Sequence, residues 1–96
     1  GSARATDAIA AAAAAPSYGG TLWEGGIAAA ACAHLLATLP HSPLDCAYYM
    51  PSYALVADIC ADPLQAGGGL IHLPVGAGLG VTVDAAALAS QTIATA

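Results

Sequence analysis

The chain is 96 residues long, and 58% of its residues are hydrophobic whereas only 7% are charged, against about 25% charged residues in typical soluble domains. This length suffices for one small domain, but a complete (β/α)8 barrel needs about 250 residues. The net charge of −5 sets six carboxylates against the single basic residue Arg4, which excludes an electrostatic surface for nucleic acid or for an anionic membrane.

The composition also limits what the chain can do alone. A small domain cannot bury this much apolar surface because its surface-to-volume ratio is unfavourable, so we interpret the chain as a fragment that lacks its neighbouring elements, or as a poorly soluble chain. Lysine is absent, so lysine acid–base chemistry must come from outside these residues. The three cysteines are odd in number and show no CxxC spacing, which favours buried thiols over a disulfide framework or a zinc knuckle.

Helix and strand alternate along the first half of the chain. The alanine-rich residues 3–15 predict a helix that Pro16 ends, with low-complexity polyalanine as the alternative. Aromatic and β-branched residues at 18–23 predict a short buried strand, and the two glycines that follow Glu24 predict a sharp turn. Residues 27–39 carry no formal charge, which predicts a helix that is apolar nearly all round and belongs in a protein interior. At thirteen residues this helix is too short for a bilayer, which needs about 20.

The second half predicts shorter, mixed elements that prolines and glycines separate. Asp84 has the side chain of a helix N-cap and is expected to start the last helix. In chain order the predicted elements are a proline turn at 40–43, a strand at 44–50, a short amphipathic turn or helix at 52–61, a glycine break at 67–69, a strand at 70–73, a glycine-rich loop at 76–80 and a helix at 85–94.

Glu24 is the only glutamate, and it follows the predicted strand at 18–23 directly before a helix. Catalytic groups of α/β barrels stand at this position, at the carboxyl end of a strand. The alternative is a solvated loop carboxylate.

Other polar residues are assigned structural roles. His34 lies inside the apolar helix and is expected to be a hydrogen-bonded core residue, whereas His72 is expected to be exposed. Asp58 and Asp62 stand four residues apart and are assigned to a solvated helix face rather than to a cation site. The glycine-rich loop is assigned as a structural turn, since Val81 stands where the dinucleotide-binding pattern needs glycine.

Four segments follow one another in a characteristic order: YGGTLWEGGI at 18–27, AHLLATLP at 33–40, CAYYMPSYAL at 46–55 and IHLPVGAGLGV at 71–81. In this order and spacing they resemble muconate cycloisomerases of the mandelate racemase/muconate lactonizing enzyme family in the enolase superfamily. The resemblance extends over most of the chain, from about residue 18 to residue 88.

The resemblance implies an α/β fold, namely the C-terminal part of a (β/α)7β TIM-like barrel plus a tail that returns to a capping domain. Residues 1–60 would form the barrel portion and residues 61–96 the C-terminal tail of the capping region. The strands at 17–23 and 44–49 would be parallel neighbours joined by the helix at 27–39, because such crossovers need a dozen or more residues.

The resemblance also implies a site. In the resembled enzymes a glutamate after the seventh strand reaches the active site and hydrogen-bonds the oxygen groups of the substrate, which assigns Glu24 as the catalytic residue of this chain. Beside this implied role, Trp23 as the neighbour of Glu24 and Tyr48, with Tyr49 as its alternative, are the candidate substrate-binding residues. Members of the family usually carry an acid in a stretch similar to CEFYMP, where Ala47 stands here, so the substrate itself is left open.

The implied chemistry is that of a divalent metal, assigned as Mg²⁺, and a lysine that exchanges a proton next to the carboxylate of a small substrate. The metal ligands and the lysines would belong to earlier strands, so no metal ligand is assigned here and the isolated chain is expected to be inactive. The expected partners are the rest of the barrel and an N-terminal capping domain, in a cytoplasmic homo-oligomer that contacts neither nucleic acid nor membrane. The alternatives are a racemase, an epimerase or an acid-sugar dehydratase of the same superfamily, and a non-catalytic apolar remnant.

Overall fold

The computed structural model describes residues 2–40 and 57–93. In chain order the elements are α1 (Ser2–Ala12), α2 (Gly26–Ala37), β1 (Gln65–Gly67), β2 (Leu70–His72) and α3 (Ala85–Gln91). The expected strand at 44–50 and most of the expected element at 52–61 lie outside the described residues. Among the helices that the structure describes, none has the length and apolar character to cross a membrane.

The alanine-rich helix α1 is confirmed, but it ends at Ala12, three residues before the predicted end. Ala14 adopts a left-handed conformation with φ of 54°. Ala15 N then donates to Ala10 O at 2.9 Å, and Ala14 N donates to Ala11 O at 3.1 Å. This pair of bonds is a Schellman motif, in which the left-handed residue is usually glycine. The turn ends the helix before Pro16, since the residue preceding a proline disfavours helical backbone angles.

The buried strand expected at 18–23 is not observed. These residues contain a single bridging residue, Gly20, and form no regular strand. Tyr18, Leu22 and Trp23 are 67%, 63% and 71% exposed. A barrel strand is hydrogen-bonded to a neighbour on each side and covered on both faces. Among the described residues the segment forms no ladder, and α2 covers only one side of it, where Leu36 packs against Gly19 and Thr21 is buried. The large apolar side chains of the segment are therefore left exposed.

Helix α2 is the centre of the small core. Its residues Ala29, Ala30 and Ala33 are buried together with Leu64. The partly buried side chains that pack against this cluster are Ile71, Leu79 and Val81. The expectation of a helix surrounded by protein holds for this face only, because Leu35 remains 42% exposed.

His34 is hydrogen-bonded, as expected, but it is half-buried rather than part of the core. Its Nε2 lies 3.0 Å from the carbonyl oxygen of Leu79, which can only accept, so Nε2 donates this bond. The bond ties α2 to the glycine-rich loop at 76–80, where Gly76, Gly78 and Gly80 all have positive φ angles. The loop is therefore a structural turn, as predicted.

The glycine break at 67–69 is part of a β-hairpin. Strands β1 and β2 pair antiparallel, with Gln65 opposite His72 and Gly67 opposite Leu70. Gly68 and Gly69 have φ angles of 59° and 79°, as a two-residue type I′ turn requires. His72 is exposed, in agreement with the sequence-based expectation.

The segment after the hairpin folds back on residues 59–62. Ala61 N donates to Thr82 O at 2.9 Å and Asp84 N donates to Ile59 O at 2.8 Å. Asp84 is the predicted N-cap, since its Oδ1 accepts from Ala86 N and Ala87 N, both at 2.9 Å. The cap gives α3 a defined start, although none of its residues is buried.

The Asp62 side chain also binds the segment at residues 82–84. Its Oδ1 accepts from Thr82 N at 2.7 Å, and its Oδ2 accepts from Thr82 Oγ1 at 3.3 Å. The backbone N–H of Thr82 is the main reason why the pKa of Asp62 lies below its ordinary value of 3.8. The charged form of Asp62 is therefore favoured in the folded state.

A pH dependence of stability follows from this lowered pKa. The stabilisation from Asp62 is complete above the unfolded-state pKa near 3.8 and is lost as the pH falls through the lower folded-state value. We expect the melting temperature of Asp62→Asn, measured by circular dichroism, to fall less than that of the unsubstituted chain when the pH is lowered across this interval. If the melting temperatures of the two chains fell by the same amount as the pH was lowered, this role of Asp62 would be contradicted.

Candidate functional site

Glu24 lies in the turn between residues 18–23 and the start of α2. Its Oε2 accepts a hydrogen bond from Leu22 N, so the carboxylate folds back on the backbone two residues earlier. The side chain is partly exposed. The turn thus presents the carboxyl group of Glu24 in a defined direction just before the start of α2.

The two other predicted site residues have different outcomes. Trp23 precedes Glu24 in the same turn and is 71% exposed, although an indole ring is usually largely buried in a folded protein. A carboxylate and an exposed indole at one turn suit the wall of a cavity that other elements complete. Tyr48 lies outside the described residues, so its predicted role stays a prediction.

Sequence reasoning missed the part that Asp58 plays at this turn. Asp58 Oδ2 accepts from Gly26 N at 2.7 Å, and Asp58 Oδ1 accepts from Cys60 N at 3.2 Å. The helix expected at Asp58 and Asp62 is wrong, because residues 57–62 form no helix and both carboxylates bind backbone N–H groups. Asp62 is exposed, as expected for a solvated carboxylate, whereas Asp58 is half-buried. The sequence did contain one indication of this contact. Gly25 is the N-cap of α2 and has no side chain, so the side-chain acceptor for the first N–H groups of the helix must come from another residue.

The described cysteines have structural surroundings. Cys60 is buried, and its Sγ donates to Asp62 O at 3.6 Å. Burial is the largest cause that raises the pKa of the Cys60 thiol above 9.0, which opposes a thiolate nucleophile at neutral pH. Cys32 Sγ lies 3.8 Å from Gly20 O. Both are free thiols, but only Cys60 is buried as expected, since Cys32 is partly exposed; Cys46 lies outside the described residues.

The described residues do not fit a metal centre. Across residues 2–40 and 57–93, no three His, Cys, Asp or Glu side chains come close enough together to hold a metal ion. The carboxylates at positions 58 and 62 are instead used by backbone N–H groups.

A concave region lies between α1 and α2 and does not include Glu24. The pocket has a volume of about 250 Å³. Asp7 in its wall is only 4% exposed, and Ser17 Oγ donates to Asp7 Oδ1 at 3.5 Å. The lining residues are Ser2, Ala3, Thr6, Asp7, Ser17, Tyr18, Leu36 and Leu39.

Comparison with known proteins relates this arrangement to a group of isomerases. Residues 1–87 match the family model described as "Enolase C-terminal domain-like". Chloromuconate cycloisomerases of Cupriavidus necator and Delftia acidovorans are each 42% identical over 77 residues, which cover 80% of this chain and 20% of each relative. The crystal structure of a muconate cycloisomerase from Azorhizobium caulinodans is similar with a TM-score of 0.77 and 40% identity, over 92% of this chain and 25% of that one. The chain thus spans about a fifth of the length of the curated relatives it matches.

Proposed function

Because this chain belongs to the enolase C-terminal domain-like family, we propose that it is the part of a muconate-type cycloisomerase that carries Glu24 into the active site. The observation that supports this most strongly is the 77-residue segment shared with proteins named chloromuconate cycloisomerases. A cycloisomerase of this kind acts on a small carboxylate substrate through an enolate-like intermediate.

Glu24 has the catalytic role in this proposal. Two ionised carboxylates can only accept hydrogen bonds, so a contact between Glu24 and a carboxylate of the substrate requires a proton on one of them. In this proposal Glu24 would be the protonated partner. It would donate this hydrogen bond to the substrate oxygen on which charge develops, and its proton would move towards that oxygen in the transition state and return when the charge is lost. Preorganised donors aimed at such a position are the usual source of stabilisation in enolate chemistry. Trp23 and Tyr48 are proposed to contact the substrate beside it.

The rest of the active site is proposed to lie outside this chain. Its described residues do not fit a metal site, so the divalent metal of the family, proposed to be Mg²⁺, would be held by side chains from other strands. Residues 1–60 would complete the barrel and residues 61–96 would return to the capping domain. The whole protein is proposed to be a cytoplasmic homo-oligomer, and the isolated chain to be inactive.

The proposal predicts a difference between the whole protein and this chain. The full-length protein with Mg²⁺ should convert cis,cis-muconate or a chloromuconate to a lactone, measured as the loss of ultraviolet absorbance of the conjugated diene. The 96-residue chain under the same conditions should leave the absorbance unchanged and should show no stoichiometric Mg²⁺ binding by titration calorimetry.

Two results would contradict the proposal. If the full-length protein left muconates unchanged but exchanged the α-proton of a hydroxy acid or dehydrated an acid sugar, the racemase or dehydratase alternative would replace it. A micromolar Mg²⁺ site on the 96-residue chain would contradict the placement of the metal ligands elsewhere.

A further inference from the structure

We propose that Asp58 is a positioning residue for Glu24, and that it acts by anchoring the turn between residues 22 and 26 to the segment at 58–60. The inference rests on the proposed function of Glu24. It concerns a residue 34 positions further along the chain, which neither the family match nor the names of the relatives associate with activity.

The first observation is that one carboxylate joins two backbone segments. Asp58 Oδ2 accepts from Gly26 N at 2.7 Å, which is short for an N–H···O bond and in the range of charge-assisted ones. Its Oδ1 accepts from Cys60 N at 3.2 Å. The bond from Cys60 N orients the Asp58 side chain, so Oδ2 is positioned to accept from Gly26 N.

The second observation is how closely the two segments approach each other. Gly26 is buried, and a Cβ atom placed there would lie 2.8 Å from Cys60 Cβ and 2.9 Å from Asp58 Oδ2. Real Cβ atoms essentially never show such distances. Glycine at 26 therefore permits the contact, and the contact fixes the backbone at the start of α2.

The third observation concerns the helix terminus itself. The first N–H groups of a helix have no partner within the helix and are usually bound by the side chain of the N-cap residue. Gly25 occupies the N-cap and can offer only its backbone carbonyl, which accepts from Ala29 N at 3.1 Å. Asp58 supplies the missing side-chain acceptor, with a charge that the helix dipole favours.

These contacts connect Asp58 to the direction of Glu24. The Glu24 side chain is bound to Leu22 N, so its orientation follows the backbone of residues 22–26. Asp58 holds the C-terminal end of that stretch at Gly26. A loosened turn would displace the Glu24 carboxyl, and a misplacement of about 1 Å can cost about 100-fold in rate.

The test is a double-mutant cycle in the full-length protein with muconate as substrate. Asp58→Ala removes both acceptors, and we expect kcat to fall by about 10- to 100-fold. Asp58→Asn can bind one of the two N–H groups, because its amide nitrogen cannot accept the other, and we expect a smaller fall. In the Glu24→Gln background both Asp58 substitutions should change kcat by less than about twofold, since residues that act as a unit are non-additive.

Asp62→Asn is the matched control. Asp62 also accepts from a backbone N–H, but its partner is Thr82 and not a residue of the turn at 22–26. Its substitution should leave kcat near the unsubstituted value in both backgrounds. Circular dichroism checks that each variant is folded, and Asp58→Asn decides the test if Asp58→Ala does not fold.

The outcomes separate this inference from the proposed function. If Glu24→Gln has normal kinetics, the proposed role of Glu24 is wrong. If Glu24→Gln is slow while a folded Asp58 variant has unchanged kcat, the positioning role alone is wrong. The same conclusion follows if the two losses multiply in the double variant, because Asp58 would then act independently of Glu24.

Discussion

Replacing Leu64 with alanine is expected to lower the free energy of unfolding of this chain by about 2–5 kcal/mol. Leu64 is 4% exposed, and it is the only large side chain among the buried residues of the core cluster. Its removal leaves a cavity against Ala29, Ala30 and Ala33 that these short side chains cannot fill. Since small domains are stabilised by about 5–15 kcal/mol in total, the loss would be a large fraction of the stability.

Urea unfolding of the 96-residue chain, followed by far-ultraviolet circular dichroism, measures this effect. Leu70→Ala is the matched control, because Leu70 loses the same atoms from a side chain that is 65% exposed. The control should change the unfolding free energy by less than about 0.5 kcal/mol. Equal losses for the two variants would contradict the described core.

The sequence was sufficient for the family and for the α/β fold class, and both predictions are confirmed by the match over residues 1–87 and by the similar solved structures. Local chemistry carried the confirmed details. Alanine and leucine propensity located α2, the glycines located the hairpin turn, and the Asp84 side chain located the start of α3. Each of these features is determined by residues within a few positions of one another.

The strand at 18–23 could not be obtained in the same way, because a strand depends on neighbours that bind its backbone and cover its faces. Propensity describes the residues themselves and not whether those neighbours are present. The same limit applies to the domain boundary at residues 60 and 61, which stays a prediction.

The candidate site also contains features that depend on local sequence and features that depend on long-range contacts. The position of Glu24 directly before a helix could be read from the sequence, because it depends on local order alone. The bond from Gly26 N to Asp58 could not, since the residues are 32 positions apart. The spacing of Asp58 and Asp62 instead suggested a helix face, and the tertiary contacts of both carboxylates overrode that pattern.

The active-site role of Glu24 is tested most directly by the kinetics of Glu24→Gln in the full-length protein. Glutamine keeps an oxygen that can accept from Leu22 N, so the turn is preserved; its amide can still donate a hydrogen bond to the substrate but cannot transfer a proton. We expect kcat on muconate to fall by about 10²–10⁴-fold, the usual loss for a positioned proton donor. The melting temperature should remain close to that of the unsubstituted protein, because a partly exposed loop substitution changes stability by less than about 0.5 kcal/mol.

Gln91→Glu is a suitable control, because it makes the reverse exchange of amide for carboxyl in an exposed side chain of α3. This substitution should leave kcat unchanged. A slow Glu24→Gln enzyme with an unchanged melting temperature is the result that the account predicts. A Glu24→Gln enzyme with normal kcat and normal KM would contradict it, and Glu24 would then be a solvated carboxylate in the loop before α2.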